Sequence, residues 1–158
     1  MLVASALTAM VGVGSLIGLT NLMTSNSSSS AQTDRRITLN RAIEYIGDDI
    51  RGSSAVQVSG STLNLTRAGS TITYSVIASS TGWQAPFMLQ RTAAGTTDMM
   101  IDGLIAPSAA PACTGTVLNA NGFHACLSSD GRTVDLNLFG NTGGTTPLSV
   151  QLSAVRRL

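Results

Sequence analysis

Lysine is absent from this chain of 158 residues: all nine basic residues are arginines, set against eight acids for a net charge of +1. They are scattered, with adjacent pairs only at Arg35–Arg36 and Arg156–Arg157. A nucleic-acid surface needs a basic stripe, usually with aromatics interleaved, and aromatics are only 4% of the residues. No nucleic-acid partner is expected, and so small a net charge steers no ligand. Histidine is nearly missing as well. His124 stands alone, and no G-x-S-x-G elbow presents a serine to it, which excludes the familiar hydrolase triad. With Cys113, Cys126 and Asp130 it gives C-x10-H-x-C, which is not a metal-ligand spacing; it reads as an ordinary strand or loop residue. Asp48 and Asp49 are neighbours in a helical stretch. Their side chains therefore point about 100° apart and cannot share a proton or an ion, so both read as a solvated helix end. The sequence offers no catalytic, cofactor-binding or metal site, and the chain is expected to be non-enzymatic.

Charge is also missing from the start of the chain, where Asp34 is the first charged residue. Met1 to Met23, MLVASALTAMVGVGSLIGLTNLM, spans about 34 Å as a helix, against about 30 Å of bilayer hydrocarbon. It lacks a basic n-region and exceeds the usual apolar length of a cleaved signal, so it reads as an anchor. Gly12, Gly14 and Gly18 do not form a dinucleotide loop, because no strand precedes them and their flanks are apolar. Gly14 and Gly18 form a small-residue face suited to close helix packing in a membrane, the alternative being the ordinary glycine content of membrane helices.

Thr24 to Thr33 is polar, free of proline and glycine, and compatible with either a linker or an unbroken helix. The next stretch favours the helix. In DRRITLNRAIEYIGDDIR, Leu39, Ile43, Ile46 and Ile50 recur at spacings of 4, 3 and 4, the apolar core face of an amphipathic helix, and Gly52-Ser53-Ser54 ends it.

From Ala55 the period changes to two. Ala55–Ser59 and Thr62–Thr66 alternate around Gly60-Ser61 as a hairpin. Thr71–Ile77 is a third strand rich in β-branched residues, and Pro86–Thr92 a fourth. Met99–Ile101 and Leu104–Ile105 flank Asp102-Gly103 as a short strand and bend. Ile105–Gly122, with Pro107 and Pro111, reads as a loop, followed by paired strands at Phe123–Leu127 and Thr133–Phe139 and a last strand within Pro147–Leu158. The helix stripe needs a cover and the one-sided strands need a partner, so an α+β fold is expected, a long N-terminal helix packed on an antiparallel β-rich domain. The expected divisions are 1–23, the membrane half of the helix; 24–52, its polar and amphipathic half; and 53–158, the β-rich domain. Cys113 and Cys126 have twelve residues between them. In an exported domain such a pair predicts a disulfide, the alternative being two reduced, buried thiols. Asn26-Ser-Ser28 and Asn64-Leu-Thr66 match the glycosylation sequon, which matters only in a pathway that reads it.

The uncharged stretch beginning MLVASAL, the amphipathic helix after it and the β-rich remainder together resemble the type IV pilins and the pseudopilins of type II secretion. The likeness is to the larger minor subunits, the pilus-assembly W-type and the secretion J-type. Segments that carry it are Ala42–Arg51, Ile72–Val76, Met100–Leu104, Arg132–Leu138 and Val155–Arg157. The resemblance implies a minor filament subunit held in the bacterial inner membrane by a single span, with its C-terminal domain in the periplasm. It also implies assembly into a filament through the N-terminal helix, with other pilin or pseudopilin subunits and bilayer lipid as partners and a place near the tip or in initiation. The family's basic leader, its processing glycine and the Phe-Thr-Leu-x-Glu that follows are not in this sequence. Met-Leu-Val-Ala is what typically follows that glutamate, so Met1 reads as an internal methionine, and nothing basic precedes the span while Arg35 and Arg36 follow it. The competing reading is a secreted or anchored β-domain adhesin or binding module.

Overall fold

The computed structural model of the chain describes residues 29–144 and 146–157. By compactness the chain divides into residues 1–34 and 35–158. In the first unit, helical turns begin the described stretch, and Thr33 Oγ1 donates to the Ser29 carbonyl one turn back at 2.9 Å. The helix, α1, covers residues 29–51 among those described. It ends where Gly52 N–H bonds the Asp48 carbonyl and the Ser53 hydroxyl bonds the Ile50 carbonyl, which satisfies two of its last free acceptors.

The second unit is built on nine antiparallel strands: β1 Ala55–Ser59, β2 Thr62–Arg67, β3 Ser70–Ala78, β4 Phe87–Ala93, β5 Thr96–Leu104, β6 Thr116–Ala120, β7 Phe123–Leu127, β8 Thr133–Gly140 and β9 Leu148–Val155. Strands β1 to β5 form a meander of successive neighbours, and β8 lies between β7 and β9, with β6 outside β7. The two groups join at one point, where Leu104 of β5 pairs with Gly140 of β8. Amides on both sides brace the joint: Ile105 N–H to the Phe139 carbonyl at 3.0 Å and Asn141 N–H to the Gly103 carbonyl at 2.8 Å. Gly140 is there for space. A Cβ on it would stand 2.8 Å from a Leu39 methyl and 2.9 Å from Arg35 Nε.

This architecture corrects the expected α+β class with a long N-terminal helix. Of the described residues 48% are strand and 18% helix, and the sheet is barrel-like and nearly closed. The physical reason lies in the sheet's curl. Its far edge, β1, comes back beside β6 and β7, so much of the inner face is covered by the sheet itself, as strand twist favours. The helix then fills the remaining core and does not form a full second layer. Two strand readings change with it. Thr96–Leu104 is one continuous strand with Gly103 at positive φ, not a short strand and bend. Thr116–Ala120, read as loop, pairs with β7 along its length.

Alternation fixes which side chains enter the core. Leu63 and Leu65 on β2, Ile72 and Tyr74 on β3, Val134, Leu136 and Leu138 on β8, and Val150 and Ala154 on β9 all lie in one buried cluster. Leu39, Ala42, Ile43, Ile46 and Ile50 of α1 belong to the same cluster. Full burial of each of the larger residues favours the fold by about 2 kcal/mol before entropy is counted. Among the described residues no helix is long and apolar enough to cross a membrane; the candidate span 1–23 lies outside them.

Candidate functional site

The helix is fastened to the sheet by charge as well as by its apolar stripe. Asp49, next to Ile50, is 4% exposed. Its Oδ2 accepts from the Tyr74 hydroxyl at 2.7 Å and from Arg91 Nε at 2.8 Å, and its Oδ1 accepts from Arg67 Nη1 at 3.1 Å. The donors come from β3, β4 and β2, so one helix residue is tied to three successive strands. Arg91 also lies 5.5 Å from the centre of the Tyr45 ring, one helical turn before Asp49, a cation–π contact. Burial works against the Arg91 charge, but Asp49 and then Tyr74 outweigh it and raise its pKa. Tyr74 is fully buried. Burial first, then Asp49, pushes its hydroxyl far above the ordinary tyrosine range, with Arg91 opposing.

A second fastening holds the other end of the buried helix segment. Arg35 donates to the Asp102 carboxylate at 3.3 Å and also to the Asp102 backbone carbonyl. Asp102 Oδ2 in turn accepts from the Gln84 amide at 2.7 Å, and the Gln84 carbonyl accepts from Gly103 N–H at 2.8 Å. Burial draws the Arg35 pKa below the usual arginine value, against the Asp102 charge. This network pins the β3–β4 loop beside Trp83, the one tryptophan, which stays about half exposed.

On the outer face of β8 and β9 a groove of about 530 Å³ is bordered by Asp135, Asn137, Gln151 and Ser153, with Pro111 and Ala112 as a wall. Asn137 stands opposite Gln151 and Asp135 opposite Ser153. Chemically this is a row of amide, carboxylate and hydroxyl groups without a cation, able to bond a neutral polar ligand.

His124, one strand over on β7, is 1% exposed, and neither ring nitrogen has a hydrogen-bond partner. Burial lowers its pKa below the ordinary histidine value, while the nearby Pro111 carbonyl pulls the other way. Two residues on, Cys126 is bonded to Cys113 with a Cα–Cα distance of 5.6 Å. Among the described residues no cluster of histidine, cysteine and acidic side chains is arranged to hold a metal.

The structure places Leu39, Ile43, Ile46 and Ile50 together in the core, and Cys113 with Cys126 in a disulfide. Gly14 and Gly18 lie outside the described residues. Asp49 departs from its sequence reading. Asp48 is exposed and pairs with Arg51 at 2.6 Å, as a helix-end acid does, whereas Asp49 is the buried centre of the helix anchor. A signal was available: Tyr74 sits on the inward-facing row with Ile72, and a buried tyrosine hydroxyl needs a partner. No family model, curated protein or solved structure matches this chain.

Proposed function

We propose that the chain is a non-enzymatic structural subunit of a type IV pilin-like filament, a minor pilin or pseudopilin of a pilus or type II secretion-like machine. In this reading Met1–Met23 holds the subunit in the bacterial inner membrane before assembly and packs among neighbouring helices afterwards. The domain faces the periplasm and contributes at the tip or to initiation. The observation that carries the reading is the double fastening of α1 within the 35–158 unit. A subunit drawn into a filament by its N-terminal segment transmits load through its helix. Here the helix is held by a continuous apolar stripe, by Asp49 bonded to three strands, and by Arg35 bonded to Asp102. The disulfide accords with an exported domain.

The test is the mass of the mature protein purified from its native host with the upstream gene region intact. An N-methylated phenylalanine a few residues before Met1 is the expected terminus. A terminus at Met1, or one cut near Ala31, overturns the filament reading.

The second reading, an anchored β-domain adhesin or binding module, is favoured by the polar groove on β8 and β9. It gains if the mature terminus lies near Ala31 and the released domain binds a ligand on that face.

A further inference from the structure

The connection between β5 and β6, residues 105–115, is the longest described stretch of the 35–158 unit without regular structure. Among the described residues its one backbone–backbone hydrogen bond is Ile105 N–H to Phe139. Towards its other end Cys113 is bonded to Cys126 of β7. Between these two fixed points runs Ala-Pro-Ser-Ala-Ala-Pro-Ala, residues 106–112, every residue of it exposed or only half-buried.

Beneath it lies His124, 1% exposed, with neither ring nitrogen in a hydrogen bond of good geometry, although the Pro111 carbonyl is close enough to act on the ring. Buried polar atoms in folded proteins almost always find partners, so two unpartnered nitrogens on one ring are anomalous. The ring shares its face with Asn119 of β6 and Asn137 of β8, which stand directly opposite. Further along that face are Val117, opposite Cys126, and Asp135, also opposite Cys126. From the connection come Pro111 and Cys113. Asp135 is the one ionisable group in that set, and it is displaced from His124 by one cross-strand pair.

We propose that residues 105–115 are an acid-released flap over the outer face of β7, with His124 as its trigger. A neutral imidazole is a flat, weakly polar filler that the closed flap tolerates. Protonation gives the ring a full charge and a second N–H donor, and burial opposes that charge more than the Pro111 carbonyl favours it. The buried charge is penalised, whereas an open flap returns the ring to water. The flap can yield without unfolding the sheet because no ladder of backbone bonds holds it. The disulfide keeps it tethered, so opening is local and reversible. Opening uncovers His124, frees the half-buried Asn137 further and withdraws the Pro111–Ala112 wall from the groove. A groove formed at neutral pH is thereby dismantled in acid. The inference does not rest on the filament reading.

The test is NMR on the full chain in detergent between pH 7.5 and pH 4.5, following the His124 ring shifts and the contacts between Pro111 and the ring. The expected result is a ring that titrates below the ordinary value of about 6.5, with the Pro111 contacts vanishing at the same midpoint. Cross-strand contacts between Ala125 and Leu136 persist. His124→Gln keeps its Pro111 contacts throughout. Three results overturn the proposal: a ring that protonates with the flap still closed, a sheet that is lost at the same midpoint, or a ring that never titrates in this range. The wild-type titration stands by itself should the variant fail to fold.

Discussion

The hydroxyl of Tyr74, in the middle of β3, donates to the carboxylate of Asp49, in the last turn of α1, at 2.7 Å, and neither side chain meets solvent appreciably. That bond is the innermost of three that fix the helix to the meander. Its worth is asymmetric. The intact cluster offsets its own desolvation, while removing one member leaves a buried group uncompensated.

Asp49→Asn therefore destabilises the domain by about 3 kcal/mol, the lower range for breaking a buried ion pair, because Arg91 keeps its charge and loses its carboxylate. Tyr74→Phe costs about 2 kcal/mol, the worth of a hydrogen bond to a charged group. Urea unfolding measures both. Asp48→Asn, on the exposed neighbour, shifts the midpoint by less than about 0.5 kcal/mol, as surface ion pairs do. Equal losses at the two positions would contradict the assignment of Asp49 as the anchor.

Tyr74 also sets an alkaline limit. Burial and the Asp49 carboxylate raise its pKa in the folded protein, above the value of about 10 of an exposed tyrosine. A group with a raised folded pKa stabilises fully below the unfolded value and loses that contribution as pH climbs beyond it. Stability should fall above about pH 10 for this reason. In Tyr45→Phe the sole remaining tyrosine is Tyr74. Absorbance at 295 nm should then rise only together with the circular-dichroism signal of unfolding, at a pH above the free tyrosine range. A rise that precedes unfolding counts against this placement of Tyr74.

Replacing both Cys113 and Cys126 by serine should lower stability by about 3 kcal/mol, since the loop they close spans 13 positions. Calorimetry on the oxidised wild type and the double variant gives the difference. The β6–β7 ladder is independent of the bridge, so the variant should keep its β-sheet spectrum.

The β4–β5 hairpin turns on Ala94 and Gly95, at φ of 50° and 80°. Positive φ at both central positions is the type I′ arrangement that matches strand twist, and asparagine at the first position suits it better than alanine. Ala94→Asn should raise stability by about 1 kcal/mol, relieving part of the left-handed penalty on a Cβ-bearing residue. Unfolding midpoints of Ala94→Asn and Ala94→Val should move in opposite directions. A shift of the same sign in both would refute the turn assignment.

The sequence was most legible where a single period ran unopposed. The 4-3-4 spacing of Leu39, Ile43, Ile46 and Ile50 marks a helix face because only a helix brings those four to one side. The alternation of Val134, Leu136 and Leu138 marks a strand for the corresponding reason. The β6 strand was hidden because Thr116–Ala120 is five residues long, follows two prolines and runs straight into the Asn121-Gly122 turn. Local chemistry there favours a loop, and only pairing to Phe123–Leu127 makes it a strand. Asp49 was hidden by its neighbour. Two adjacent acids at a helix end look equally solvated until the third dimension brings Arg67, Arg91 and Tyr74 to one of them.

The sequence by itself determined most of the elements: an amphipathic helix after an uncharged segment, strands of alternating polarity and tight turns. These follow from local sterics and from which side chains avoid water, and both are written within a few residues of each position. Tertiary structure alone decided that the sheet curls back on itself and confines the helix to filling its core. It also decided that five strands join four through the single pair Leu104–Gly140, and that a lone histidine lies unpartnered under a loop. Those outcomes depend on strand twist summed over the sheet and on contacts between residues far apart in the chain, and no local pattern encodes either.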